Sequence, residues 1–164
     1  MNVDAEQSRA VARRFREDLW NSGDLAIADE IIAADCLIHA RVPMTTDFSR
    51  GPDAIRQLVL FFHLAFADIH MTVEQVLVEG DMVAARWSGR GRHRGDLLGL
   101  PEGEHEAVTS GIDMLRIAGG KVVEGWVSWD TLGLIEHLLT HSPADSPPGS
   151  EPGAEFLSLL KRLR

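Results

Sequence analysis

The hydrophobic period of this chain changes near its middle, and that change limits it to a few architectures. Up to residue 66 the apolar residues recur at helical spacing, and from residue 69 they alternate. Residues 4–20 carry Val11, Phe15 and Leu19 four apart, with Asp4 placed to cap an amphipathic helix. Asn21-Ser22-Gly23-Asp24 interrupts it, and Asp24 can cap a second short helix running to about Ala34. Residues 35–50, with Cys36, His39 and Pro43, read as irregular. Gly51-Pro52-Asp53 opens a third helix, Pro52 sitting where a missing N–H costs nothing. Its apolar stripe is Ile55, Leu58, Val59, Phe62, Ala65 and Phe66.

Alternation then predicts strands over 69–79 and 82–93, joined by a Glu79-Gly80-Asp81 turn. After a Gly- and Glu-rich loop at 94–106, interrupted by Leu97-Leu98, strands follow at 107–118 and 121–129 and a helix at 131–140. Three helices followed by a run of antiparallel strands predict an α+β fold with the helices packed on one face of the sheet. Gly119 and Gly120 can take the positive φ values that a tight hairpin needs. Beyond them Val122, Glu124, Trp126, Ser128 and Asp130 share one parity, and Val123, Val127 and Trp129 the other.

Large apolar side chains therefore occupy both faces of the predicted strands, Trp126 opposite Trp129 and Met82 opposite Trp87 in parity. A monomer with an antiparallel sheet usually leaves one face polar. Helices can cover one face, so a second subunit is the expected cover for the other, giving a homodimer through the sheet. The remaining segment, 141–164, is set apart by composition from the domain at 1–140. It joins a Pro/Ser/Gly-rich linker (141–153) to AEFLSLLKRLR, a short amphipathic helix with Phe156, Leu159, Leu160 and Leu163. Such a helix is marginal alone in water and is expected to dock on its own domain or on a partner subunit.

Charge and motif content exclude several function classes. The net charge of −9 and the lack of basic runs beyond the arginines at 13–16 and 90–94 argue against nucleic acid as a partner. The N-terminal residues do not resemble a signal peptide, and no segment is long and apolar enough to span a bilayer, so a cytoplasmic protein with no membrane partner is expected. Cys36 is the only cysteine, and it carries no reactive-thiol motif. Seven histidines (39, 63, 70, 93, 105, 137 and 141) contain no HExxH, and only His137 and His141 share i,i+4 spacing, at a helix end. No metal site is expected, because a divalent ion needs three or four converging ligands. There is no nucleophile elbow, phosphate-binding loop or dinucleotide fingerprint.

The residues that could carry chemistry are carboxylates. Asp130 either caps the helix at 131–140 or serves as an acid or base at the end of an aromatic-walled strand, and a cap can still line a cavity. Arg116 and Asp113 fall on opposite faces of the preceding strand. Arg116 shares its face with Met114 and Ile112 and could pair with Glu124 or Asp130, either buried or as an exposed cross-strand pair.

Several segments in order resemble the SnoaL-like polyketide cyclases of the nuclear-transport-factor-2-like superfamily. These are DEIIAADCLIHA (29–40), the Gly51-Pro52 helix start, VLVEGDMVAARWSGRGRHRGDLLGLP (76–101) and SGIDMLRIAGGKVVEGWVSWDTLGLIEHL (110–138), together spanning about residues 5–140. The resemblance implies a cone-shaped α+β barrel, a curved sheet wrapped around the N-terminal helices, with a pocket at its open end. It places the acid/base of an intramolecular aldol closure on Asp130, four residues after Trp126 in the W-x-x-x-D segment. It implies no metal or cofactor and a small apolar carbonyl compound as ligand. Arg116 takes the second polar position on the preceding strand, where a histidine is the more familiar occupant. His39 is implied as a pocket wall, and Trp126, Met114, Phe62 and Phe66 complete an apolar lining. Two other functions fit the same scaffold. One is a non-catalytic ligand-binding or dimerisation module with Asp130 only a cap. The other is a lyase, isomerase or hydrolase with Asp113 or Glu124 as a second acid.

Overall fold

Helix α1 (Ala5–Arg13) runs into a π-helical segment (Arg14–Asp18) and then α2 (Leu19–Ser22), in a computed structural model that describes residues 5–40, 50–94 and 106–140. The predicted loop at 94–106 lies almost wholly outside the described residues, as does the tail at 141–164. One wide turn in the π segment is closed by the Leu19 N–H donating to the Arg14 carbonyl, five residues back. The predicted Val11, Phe15 and Leu19 stripe is buried along this helix. Helix α3 (Ile27–Ile31) follows, started by the Asp24 side chain accepting from the Ala26 N–H at 3.0 Å. Helix α4 (Pro52–Ala65) begins at the predicted proline.

Five strands make one sheet: β1 (Ile32–Ala40), β2 (Phe66–Glu79), β3 (Met82–His93), β4 (Glu106–Ala118) and β5 (Lys121–Trp129), with α5 (Thr131–Thr140) after them. Their order across the sheet is β1-β5-β4-β3-β2, and the sheet is curved and does not close on itself. Four of these strands follow from alternation in the sequence. β1 does not: it corrects the reading of residues 32–34 as helix and of 35–40 as irregular, while 41–49 lie outside the described residues. Its buried residues Ile32, Cys36 and Ile38 are unevenly spaced, because the register against β5 slips between Ile32 and Leu37. β1 also pairs in parallel with β5, so the sheet is mixed rather than wholly antiparallel.

The first helix covers the concave face and also finishes the exposed edge. β2 is an edge strand, and unpaired backbone groups on such an edge invite association. Asn21 exchanges two hydrogen bonds with Met71, accepting from its N–H at 2.6 Å and donating to its carbonyl at 2.9 Å. The Val73 N–H donates to Glu17 at 2.8 Å, and Arg13 donates to the Val73 carbonyl at 3.1 Å. Between helices and sheet the core contains Phe15, Leu19, Trp20, Ile31, Ile55 and Val59 against Val83, Trp87, Leu115, Ile117 and Val122. A second, smaller cluster joins α5 to the far end of the sheet through Phe66, Ala107, Leu134 and Leu138.

Candidate functional site

Alternation along β3, β4 and β5 decides which side chains can meet a ligand. On β4, Asp113, Leu115 and Ile117 point inward and are buried, whereas Ile112, Met114 and Arg116 point outward. On β3 Trp87 points inward, and on β5 Val127 and Trp129 do so. The two hydrophobic clusters leave between them a cavity of about 70 Å³, several times what one water needs. Its wall is almost wholly apolar: Phe15, Trp20, Ile38, Ile55, Phe62, Phe66, Met71, Trp87, Val127, Trp129 and Leu134 all contribute. Phe62 is the hub of an aromatic group, meeting Trp20 and Trp129 edge-on at 5.6 Å each and lying against Phe66 at 6.3 Å.

One charged side chain that this wall contains was not singled out from the sequence. Arg16, 4% exposed, lines the cavity from the π-helical segment. Its Nε donates to Asp113 Oδ2 at 2.8 Å and its Nη2 to Asp113 Oδ1 at 2.6 Å, a bidentate pair that the planar guanidinium fits. Asp113 is 0% exposed and does not reach the cavity surface. The guanidinium lies 4.1 Å from the centre of the Trp87 ring and 5.3 and 5.5 Å from those of Trp20 and Phe15. The indole N–H groups of Trp20 and Trp87 are buried without an acceptor among the described residues. A signal was present: Arg16 shares the buried face of the helix with Val11, Phe15 and Leu19, and a buried cation requires a carboxylate.

Of the residues expected around a pocket, Phe62 and Phe66 line the cavity. Trp126, Arg116, His39 and Met114 are brought together, but on the opposite side of the sheet. His39 stacks on Trp126 at 5.2 Å, and Arg116 approaches the same ring at 5.7 Å. Glu124 lies between the two, 3.0 Å from His39 Nε2 and 2.6 Å from Arg116 Nη1, making Arg116–Glu124 the half-exposed cross-strand pair. The pocket-wall assignment of these four is corrected by parity: the concave face belongs to Trp129 and Val127, so their neighbour Trp126 faces outward. One row on this outer face crosses all five strands, Leu77, Ala84, Met114, Trp126 and His39. Leu77, Val108, Ile112 and Met114 are all exposed there, Met114 the least at 47%.

Asp130 is exposed at the junction of β5 and α5. Its Oδ1 accepts from the Gly133 N–H at 2.8 Å, which makes it the cap of α5. Its Oδ2 accepts no hydrogen bond among the described residues, and it stands 2.2 Å from where a Cβ at Gly133 would be, so glycine there leaves the carboxylate its space. Asp130 does not line the cavity, but three residues around it do. Trp129 precedes it, Thr109 donates to its carbonyl at 3.3 Å, and Leu134 donates its N–H to the same oxygen at 3.1 Å. Cys36 is buried, and burial, with Asp35 and Glu124 nearby, raises its thiol to about 11. No group of three metal-ligating side chains occurs among the described residues, and no helix among them is long and apolar enough to cross a membrane.

The family model for SnoaL-like polyketide cyclases matches residues 10–138, which includes the cavity, the Arg16–Asp113 pair and Asp130. The chain belongs to the SnoaL-like polyketide cyclase family. Among solved structures this SnoaL-like protein resembles TsrD from Streptomyces laurentii, with 24% identity, a TM-score of 0.73, and coverage of 83% of this chain and 97% of that one. It resembles IdmH from Streptomyces antibioticus, named as a candidate polyketide cyclase, with 27% identity, a TM-score of 0.69, and coverage of 81% and 98%. A protein of Acidithiobacillus ferrooxidans, named likewise, has 19% identity, a TM-score of 0.75, and coverage of 85% and 99%. A comparison with curated proteins gives no match.

Proposed function

We propose that this SnoaL-like protein is a cofactor-independent acid/base enzyme that closes a ring in an apolar carbonyl compound by an intramolecular aldol reaction. The observation that carries this reading is an apolar cavity whose far wall (Thr109, Trp129 and Leu134) surrounds the backbone of Asp130. Oδ1 of Asp130 is committed to the α5 cap, while Oδ2 has no partner among the described residues and can act as the base. Family membership and the likeness to IdmH favour the same class of chemistry.

In the proposed reaction a substrate fills the cavity and reaches past Trp129, placing a carbon flanked by two carbonyls beside Asp130. The carboxylate takes the proton from that carbon, and the electron pair passes into the enolate. The enolate carbon attacks a second carbonyl carbon, forming the new C–C bond as the C=O π pair moves onto oxygen. The protonated carboxyl returns its proton to that oxygen. A carbon between two carbonyls is acidic enough for an ordinary carboxylate to serve.

Asp130→Asn separates this reading from a module that only binds ligands, because asparagine keeps the cap and cannot act as a base. The assay follows loss of the α-proton NMR signal of a 2-substituted aryl β-ketoester in D₂O. Asp130→Asn is expected to slow enzyme-dependent exchange by roughly 10²-fold or more with an unchanged melting temperature. Equal exchange by wild type and variant would reject Asp130 as the base.

The second part of the proposal is a homodimer through the outer face of the sheet. Leu77, Ile112, Met114 and Trp126 form there a continuous apolar strip that the helices on the concave side do not cover.

A further inference from the structure

We infer that Arg16 is an oxyanion-binding residue, and that the ligand of this cavity presents an enolate, phenolate or polarised carbonyl oxygen to it. This inference rests on the reading of the cavity as the ligand site and deepens it.

Arg16 is the buried cation of a wall whose other polar members are Thr109 and Arg90, and Arg90 is exposed and pairs with Glu106 at 3.2 Å. Burying a cation is costly unless it is paired, and Asp113 does the pairing. The pair is not symmetric with respect to the cavity. Arg16 lines it and Asp113 does not, so the arginine is the member of the pair that meets the cavity. Asp113 engages Nε and Nη2, which leaves Nη1 with two N–H groups and no acceptor among the described residues. An oxygen arriving in the cavity can accept from that nitrogen.

Rigidity supports the same role. The fork to Asp113 fixes the guanidinium in its own plane, and the Trp87 ring at 4.1 Å restricts it out of the plane. A donor held in place before the ligand arrives does not have to be reorganised when charge develops on the ligand. The π-helical turn shows how the site is made: five residues in one wide turn reposition Arg16 relative to a regular helix. If the pair served stability alone, it would need neither a place on the cavity wall nor an unfilled donor.

The test compares binding of 5-phenylcyclohexane-1,3-dione, an enolate at neutral pH, with that of the neutral 3-phenylcyclohexanone, using tryptophan fluorescence. The wild-type protein is expected to bind the enolate at least about tenfold more tightly, as charged hydrogen bonds in a low-dielectric site allow. Arg16→Met alone strands a buried carboxylate, so the informative variant is Arg16→Met with Asp113→Leu, which replaces the pair by apolar groups. Circular dichroism verifies its fold. The preference for the enolate should disappear in that variant while the neutral ketone still binds. An equal affinity of the wild-type protein for both probes would overturn the inference, and so would a preference that survives in the folded double variant. Enolate preference in Asp130→Asn keeps the outcomes separate: if that variant binds the enolate as wild type does and the β-ketoester assay shows no dependence on Asp130, the proposed chemistry fails and the oxyanion site stands.

Discussion

Replacing Arg16 by methionine should be among the most destabilising single changes in this chain. The substitution keeps an unbranched apolar stem against Phe15 and Trp87, so loss of packing is limited. What it removes is the counter-charge of Asp113, which is 0% exposed and would keep neither of its hydrogen bonds at 2.6 and 2.8 Å. Removing one partner of a buried pair costs about 3–5 kcal/mol. For a chain of this length that corresponds to roughly 6–20 °C in melting temperature. Adding Asp113→Leu removes the stranded carboxylate, and the double variant should return to within about 2 kcal/mol of wild type. The two sites are therefore expected to couple by more than 1 kcal/mol, which a double-mutant cycle in urea reads directly. A loss below about 1 kcal/mol for Arg16→Met, or simple additivity of the two changes, would refute the buried-pair account.

Two further predictions concern other parts of the molecule. Cys36, with its thiol raised to about 11 from 9.0, should resist alkylation by iodoacetamide at pH 8 until the protein unfolds. The folded state favours the neutral thiol, so this stabilisation is complete below pH 9 and is lost as pH rises through about 11; denaturant midpoints between pH 8 and 11 would show the fall. Rapid labelling of the native protein at pH 8 would contradict the burial. On the outer face, Met114→Glu places a charge in the centre of the apolar row, opposite Trp126, and should convert a dimer into a folded monomer in light scattering. A wild-type protein that is already monomeric would remove the dimer proposal.

Local spacing made most of the fold legible, because α4 and strands β2 to β5 announce themselves by period. β1 was lost because its buried residues are irregularly spaced and its partner lies some ninety residues away in sequence at β5. The site was harder to read for a related reason. Parity separates Trp126 from Trp129 but does not say which of the two faces the helices, and the W-x-x-x-D spacing drew attention to the even side. Phe62 lies on the apolar stripe of α4, which packs against the sheet, and Phe66 follows it as the first residue of β2. Arg16 is not readily legible in the sequence, because arginines on an amphipathic helix are normally solvated and its partner is 97 residues distant. Asp113 was separated from Arg116 by parity, and the structure makes them members of two unrelated networks.

The parallel pairing of β1 with β5 has a consequence for how the molecule is made. Ile38 and Ala40 line the cavity from a strand near the start of the chain, while Val127 and Trp129 line it from a strand near the end. During synthesis the helices and β1 emerge first, with their cavity-facing side chains lacking a partner until β5 is available. Contacts of such long sequence separation form slowly. The wall between β1 and β5 is therefore among the last parts of the cavity to be assembled, and apolar surface that will later line it stays open to other chains until then. A ligand that fits this cavity would act on folding as well as on the finished protein, by trapping the chain once β5 has docked.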